Sequence, residues 1–187
     1  MKLLYFDVET TGLSAAKCAI HQLSGIIEIN GKIEKEFSFN IKPFEGALIQ
    51  DKALSISGVT REQINAYSVD YKQAHRNLVK LITSYVDKYD KNDKMFLVGY
   101  NNASFDNHFL RALWLYNQDK YFGSLFWANP IDVYILASYK IMSHRKDLPD
   151  FKLLTACNHF GIKVDESKAH DATYDVYLTK ELFKAIQ

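Results

Sequence analysis

Leu3-Leu4-Tyr5-Phe6-Asp7-Val8-Glu9-Thr10-Thr11-Gly12 is the stretch on which the architecture turns. A short apolar run ending in acids reads as a strand that carries charge at its tip. The next segment, residues 19–29, places isoleucines at 20, 27 and 29 and reads as a second strand. Asn30-Gly31 marks a hairpin turn, and residues 32–42 alternate Ile33, Phe37, Phe39 and Ile41 against charged or polar neighbours. Together they predict an antiparallel three-strand meander.

Beyond residue 50 the period turns helical. Short helical segments are expected around residues 53–57 and 60–66, then a long helix opening near Tyr71. Its stripe of Ala74, Leu78, Leu81, Ile82, Tyr85, Val86 and Tyr89 keeps the 3.6-residue period of an amphipathic helix. Residues 96–100 form another compact apolar run, read as a strand. Further helices are expected over 104–116, 132–141, 152–160 and 171–185, with a short fifth strand between residues 121 and 127. The pattern predicts an α/β fold with a central mixed five-stranded sheet flanked by helices, in a single domain spanning 1–187.

The 187 residues are 48% hydrophobic, ample for a core covering both faces of a sheet. Lys and Arg number 23 against 22 Asp and Glu, giving a net charge of +1. That balance excludes the bulk positive field of proteins that coat nucleic acid, so a polyanion would have to be handled locally. The N-terminus lacks the core of a signal peptide or a membrane span, and a soluble cytoplasmic protein is expected. Cys18 and Cys157 have no partner spacing and read as small core residues. Three prolines and eight glycines leave no linker, and no repeat is visible.

Asp7 and Glu9, two residues apart on a strand, leave the same face of the sheet. Adjacent like charges destabilise unless something positive lies between them. A bare Asp-x-Glu is most often a solvated strand end, but here Thr10-Thr11-Gly12-Leu13 follows, with hydroxyls, a glycine allowing close backbone approach, and an apolar side chain at the rim. Asp106 stands where a strand passes into a helix, and Phe109, Leu110 and Leu113 follow on its face. A first-turn acid complementing the helix dipole is one reading; an acid on an inward stripe in need of a partner is the other. Asp175 repeats that arrangement on the last helix with Leu178 and Leu182, while Asp171, where the helix begins, reads as a capping acid. His170 stands in the loop before it; the other five histidines read as packed or solvated.

Asp7, Glu9, Asp106 and Asp175 carry four formal negative charges, which two divalent cations would balance. Oxygen donors suit Mg²⁺ or Mn²⁺ rather than Zn²⁺. Two such ions can clamp a scissile phosphate, one generating the attacking hydroxide and the other stabilising the leaving oxygen, with a histidine accepting the proton. Metal-assisted phosphodiester hydrolysis is the chemistry these residues suit.

Asp7-Val8-Glu9-Thr10-Thr11-Gly12, Asn102-Ala103-Ser104-Phe105-Asp106 and His170-Asp171-Ala172-Thr173-Tyr174-Asp175 resemble, in order, the three exonuclease motifs of the DnaQ-like DEDDh exonucleases. That superfamily includes the DNA polymerase III epsilon-like proteins, and the resemblance spans nearly the whole chain. It implies a ribonuclease H-like fold and metal-dependent 3′-to-5′ release of 5′ mononucleotides. The substrate class would be single-stranded DNA ends or short RNA. The tyrosine variant of the family would carry Tyr where Asp171 stands, so His170 fits the histidine class.

By that resemblance, Asp7, Glu9 and Asp175 would surround the nucleophile-activating metal, Asp7 bridging to a second metal near Asp106, with His170 as general base. Thr10, Thr11 and Gly12 would hold the terminal nucleotide, Leu13 would wedge against the bases, and Asn102 and Phe105 would line the same cleft. Two positions depart from the family pattern: Ser57 precedes Gly58 where members often have His, and Asn101 stands where many have His. Residues 143–152 concentrate bases in a loop beside the site, and a solvated loop is the preferred reading over a phosphate contact. An accessory or proofreading subunit held by a polymerase is the competing expectation, disfavoured because no tail follows the last helix to tether a partner.

Overall fold

The computed structural model describes all 187 residues. Strands β1 (Lys2–Thr10), β2 (Ile20–Ile29) and β3 (Lys32–Asn40) form the expected meander, with Asn30 and Gly31 in left-handed conformation at the hairpin. β4 (Phe96–Gly99) pairs parallel to β1, and β5 (Ile131–Asp132) parallel to β4, giving a mixed sheet of order β3-β2-β1-β4-β5. β1 is therefore central, and β1 runs on beyond its last pairing with β4 at Tyr5↔Val98.

Each face of the sheet carries its own core. Leu4, Phe6 and Val8 of β1 point to one side, where α3 (Tyr71–Thr83) and α4 (Asp106–Tyr116) pack through Ala74, Leu78, Ile82, Phe109 and Leu113. Leu3 and Tyr5 point to the other, against α6 (Val133–Ile141), α7 (Leu153–His159) and α8 (Ala172–Ile186). Short helices α1 (Asp51–Ile56), α2 (Arg61–Asn65) and α5 (Phe122–Leu125) fill connections. Cys18 and Cys157 are buried free thiols, one in each core. No helix is long and apolar enough to cross a membrane.

Two expected elements differ. The long helix ends at Thr83 rather than near Tyr89: the N–H groups of Tyr85 and Val86 both return to the Ile82 carbonyl, at 2.9 and 3.0 Å, closing the last turn. Val86 still packs into the core, whereas Tyr89 is 84% exposed. The fifth strand is not in residues 121–127, where α5 forms and Phe126 makes only an isolated bridge to Met95. It is the two-residue β5, too short to leave a periodic signal.

Candidate active site

Asp7 and Glu9 continue the Leu3–Tyr5 face of β1, the face packed against α8. The hydroxyl of Ser24, opposite Asp7 on β2, bonds to Ser38 at 2.8 Å and to Thr173 in the first turn of α8 at 3.1 Å. That contact fixes the start of α8 against the sheet. Asp171 caps the helix, accepting the N–H groups of Thr173 and Tyr174 at 2.8 and 3.3 Å, as its place in the sequence implied. Asp175 is thereby held one turn in. His170, just before the cap, has left-handed backbone (φ 65), rare for a residue with a side chain. A carboxylate oxygen each from Glu9 and Asp175 and a ring nitrogen of His170 lie within 4.8 Å of one another.

Asp106 arrives from the opposite layer at the start of α4. Its Oδ1 accepts the Val8 backbone N–H at 3.2 Å, at a point where β1 no longer pairs with β4. Phe109, Leu110 and Leu113 are buried behind it, so the carboxylate stands on an inward stripe with that partner.

Burial is the main cause of a common upward shift in the four acids. It raises the Asp7 carboxyl well above the usual range, reinforced by the charges of Asp106, Asp175 and Glu9. Glu9 is pushed up to about 8 by burial and then by Asp175 and Asp106. Asp106 rises to about 7, against the restraining hydrogen bond from Val8. Asp175 rises to about 6, partly offset by the His170 backbone amide. No lysine or arginine is ion-paired to any of them, and the buried Asp175 Oδ1 has no hydrogen-bond partner. Repelling oxygens with an orphaned buried acceptor are a donor set that fits hard divalent cations.

The loop after β1 uses its hydroxyls internally. Thr10 Oγ1 donates to the Gly12 carbonyl at 2.8 Å; Thr11 Oγ1 donates to the Leu48 carbonyl at 2.8 Å and accepts the Ala19 N–H at 2.9 Å. Both residues therefore shape the loop rather than offer free hydroxyls. A Cβ on Gly12 would come within 2.6 Å of the Gln50 side chain and 2.7 Å of the Cys18 sulfur, so a larger residue there would have to displace both. Leu13 projects outward, 81% exposed.

Asp7, Glu9, Asp106, His170 and Asp175 line one cleft of about 530 Å³, and Phe105 and Asn101 join them. Asn102 does not: its side chain is fully buried, packed over Gly99 with neither amide atom hydrogen-bonded. The residue that sequence reasoning passed over is Asp132. Its Oδ1 accepts the N–H groups of Asn101 and Tyr134 at 2.9 and 3.0 Å, and its Oδ2 that of Ala103 at 3.1 Å. Asp132 thus ties β5 to the loop that delivers Asp106. Its sequence signal was only that of an acid opening a helix.

The family model described as exonuclease matches residues 4–183. Ribonuclease T of Baumannia cicadellinicola subsp. Homalodisca coagulata is 31% identical over 182 residues, covering 95% of this chain and 79% of that protein. Ribonuclease T of Hahella chejuensis is 31% identical over 185 residues, covering 96% and 80%. Among solved structures, the zinc-ion-bound E. coli exonuclease I complex with single-stranded DNA matches with a TM-score of 0.79 and 25% identity, over 99% of this chain. The chain spans 40% of the length of that exonuclease I chain.

Proposed function

This chain belongs to the exonuclease family and, as a DEDDh member of the DnaQ-like superfamily, is a 3′-to-5′ exonuclease; from that premise we propose a two-metal hydrolase of single-stranded RNA or DNA ends. Asp7, Glu9, Asp106 and Asp175 hold two divalent cations, Mg²⁺ or Mn²⁺, and His170 is the general base. The observation that carries this reading is the convergence of Glu9, His170 and Asp175 within 4.8 Å, in the cleft that also contains Asp7 and Asp106.

Bound cations supply charge neutralisation at the scissile phosphate and at the leaving oxygen. His170, exposed on the loop before α8, takes the proton from the attacking water and passes it to solvent. Asp7 and Glu9 approach from the sheet, Asp106 and Asp175 from two helix starts, so the phosphate meets acids anchored on three separate elements. The loop from Thr10 to Leu13 offers backbone and an exposed leucine to the terminal nucleotide, and Phe105 stands on the cleft wall. The relatives named Ribonuclease T favour RNA trimming over a proofreading subunit bound to a polymerase. The likeness to a structure with single-stranded DNA supports DNA ends as a second substrate.

Incubating the protein with 3′-labelled and 5′-labelled oligonucleotides and Mg²⁺ tests the proposal. Stepwise shortening from the 3′ end, abolished by EDTA, is expected; turnover that survives EDTA overturns the metal assignment.

A further inference from the structure

One wall of the cleft continues outward as a file of rings. Tyr100 and Tyr134 meet edge to face at 5.6 Å between centroids, Tyr134 and Phe151 at 5.5 Å, and the Arg145 guanidinium lies 5.5 Å from the Phe151 centroid. Tyr100, Tyr134, Phe151 and Lys152 line the same cleft as Asp7, Glu9 and Asp175, so the file starts at the acids and ends at solvent. It is braced: the Tyr100 hydroxyl donates to the Phe151 carbonyl at 2.7 Å, and Asp150 accepts the Lys152 N–H at 3.1 Å and the Thr155 hydroxyl at 2.5 Å.

Arg145 and Lys146, on the 3₁₀ turn Met142–Asp147 after α6, have no carboxylate partner; Lys152 is paired loosely with Asp150 at 3.7 Å. Cations without a carboxylate partner, beside a file in which Tyr134 is exposed and Tyr100 and Phe151 are half-buried, next to a cleft of four acids, form the arrangement that single-stranded nucleic acid uses: bases on aromatic faces, phosphates on cationic side chains. A second groove of about 920 Å³ also reaches His170, but its one lysine, Lys168, is paired with Asp165 at 3.5 Å and Asp171 adds a further acid. The charge distribution therefore favours the ring-lined wall for a polyanion.

We propose that the wall of Tyr134, Phe151 and Arg145, with Lys146 and Lys152, is the binding platform for the strand on the 5′ side of the scissile phosphate. This rests on the exonuclease reading above and adds to it where the rest of the substrate lies. The basic loop of residues 143–152 thereby has a ligand. A nucleotide beyond the terminal one stacks on Tyr134, the exposed ring of the file that Phe151 and Tyr100 brace, and Arg145 and Lys146 meet the phosphates.

The test compares kcat/KM on oligothymidylates of two and eight nucleotides with Mg²⁺. Wild type should favour the octamer, and Tyr134→Ala or Arg145→Ala should lower the octamer-to-dimer ratio by about tenfold, the scale of one lost stacking contact. Tyr134→Phe should keep the ratio. The exposed Arg145→Ala variant covers the case in which a ring truncation unfolds the loop. Replacing both Arg145 and Lys146 by Ala should also flatten the salt dependence of octamer KM by about 0.7 in log–log slope per charge removed. Equal losses on both oligomers, or an unchanged ratio, overturn the platform while leaving the exonuclease reading intact. A wild type that shortens neither the oligothymidylates nor oligouridylates of the same two lengths removes both. A mass double the 21.6 kDa chain that reverts to monomer in Tyr134→Ala would identify the face as a subunit contact and overturn the proposal.

Discussion

Asp106 Oδ1 accepts the backbone N–H of Val8, the residue between Asp7 and Glu9, at 3.2 Å. One carboxylate thus does two things: it anchors the start of α4 to the central strand, and it adds charge beside the strand's two acids. The two roles separate by substitution. Asp106→Asn keeps an acceptor for Val8 and removes a charge whose pKa burial raises to about 7, so its melting temperature in the absence of metal should equal or exceed that of wild type. Its activity should fall by at least about 100-fold, since even outer-shell partners of a metal cost 10- to 100-fold. Asp106→Ala should lose the same activity and also melt lower, because the Val8 N–H loses its partner. Equal melting of the two variants would show that the hydrogen bond does not anchor α4.

His170 sits at φ 65, a conformation that costs a residue with a Cβ about 1–2 kcal/mol. His170→Ala should slow turnover by about 10²- to 10⁴-fold, the usual contribution of a general base, with cation binding by calorimetry retained. His170→Gly should be as inactive, yet at least as stable as His170→Ala, because only glycine is free of that strain. Near-wild-type turnover in either variant would remove His170 from the chemistry.

What could be read in advance follows from how local each signal is. Asp7 and Glu9 share a face because of strand alternation alone, and Asp106 and Asp175 betray themselves as acids on helical stripes whose other members, Phe109, Leu113, Leu178 and Leu182, are buried. The meander was legible from its isoleucines and its Asn-Gly turn. Asp132 was not, because its work is done through the N–H groups of Asn101 and Ala103, far away in sequence and invisible to any periodicity. β5 is two residues long for the same reason: it exists by pairing with Val98 and Gly99, not by its own pattern. The inward turn of Asn102 depends on the bare backbone of Gly99, a contact only the folded loop creates.

Asp132→Ala should leave three backbone N–H groups without their acceptor, at Asn101, Ala103 and Tyr134. An unsatisfied buried donor costs on the order of 1–3 kcal/mol, and these half-buried ones each cost less because water can reach them. A clear loss of melting temperature is expected, together with reduced kcat, since the freed loop carries Phe105 and Asp106. Asp132→Asn retains an acceptor oxygen for part of this set and should fall between wild type and Ala in both measurements. Full activity in Asp132→Ala would show that Asp106 is positioned without it.

The four raised carboxyls set the sign of the pH dependence. Their folded pKa values lie above those of the unfolded chain, so the metal-free fold binds extra protons, and that stabilisation is lost as pH rises through about 7 for Asp106 and about 8 for Glu9. Buried His21, lowered to about 4, acts oppositely, but only below the ordinary histidine range near 6.5. Between pH 6.5 and 8.5 the acids therefore dominate, and the metal-free protein should melt several degrees lower at the alkaline end; one carboxyl titrated over one pH unit is worth about 1.4 kcal/mol, or roughly 3–6 °C in a chain of this size. Divalent cations compensate the same charges, so saturating Mg²⁺ should reverse the trend, raising the melting temperature most at pH 8.5. Calorimetry in buffers of different ionisation enthalpy should register proton release on cation binding near pH 7. A metal-free melting temperature that rises from pH 6.5 to 8.5 would contradict the burial of these acids as the controlling charge in the site.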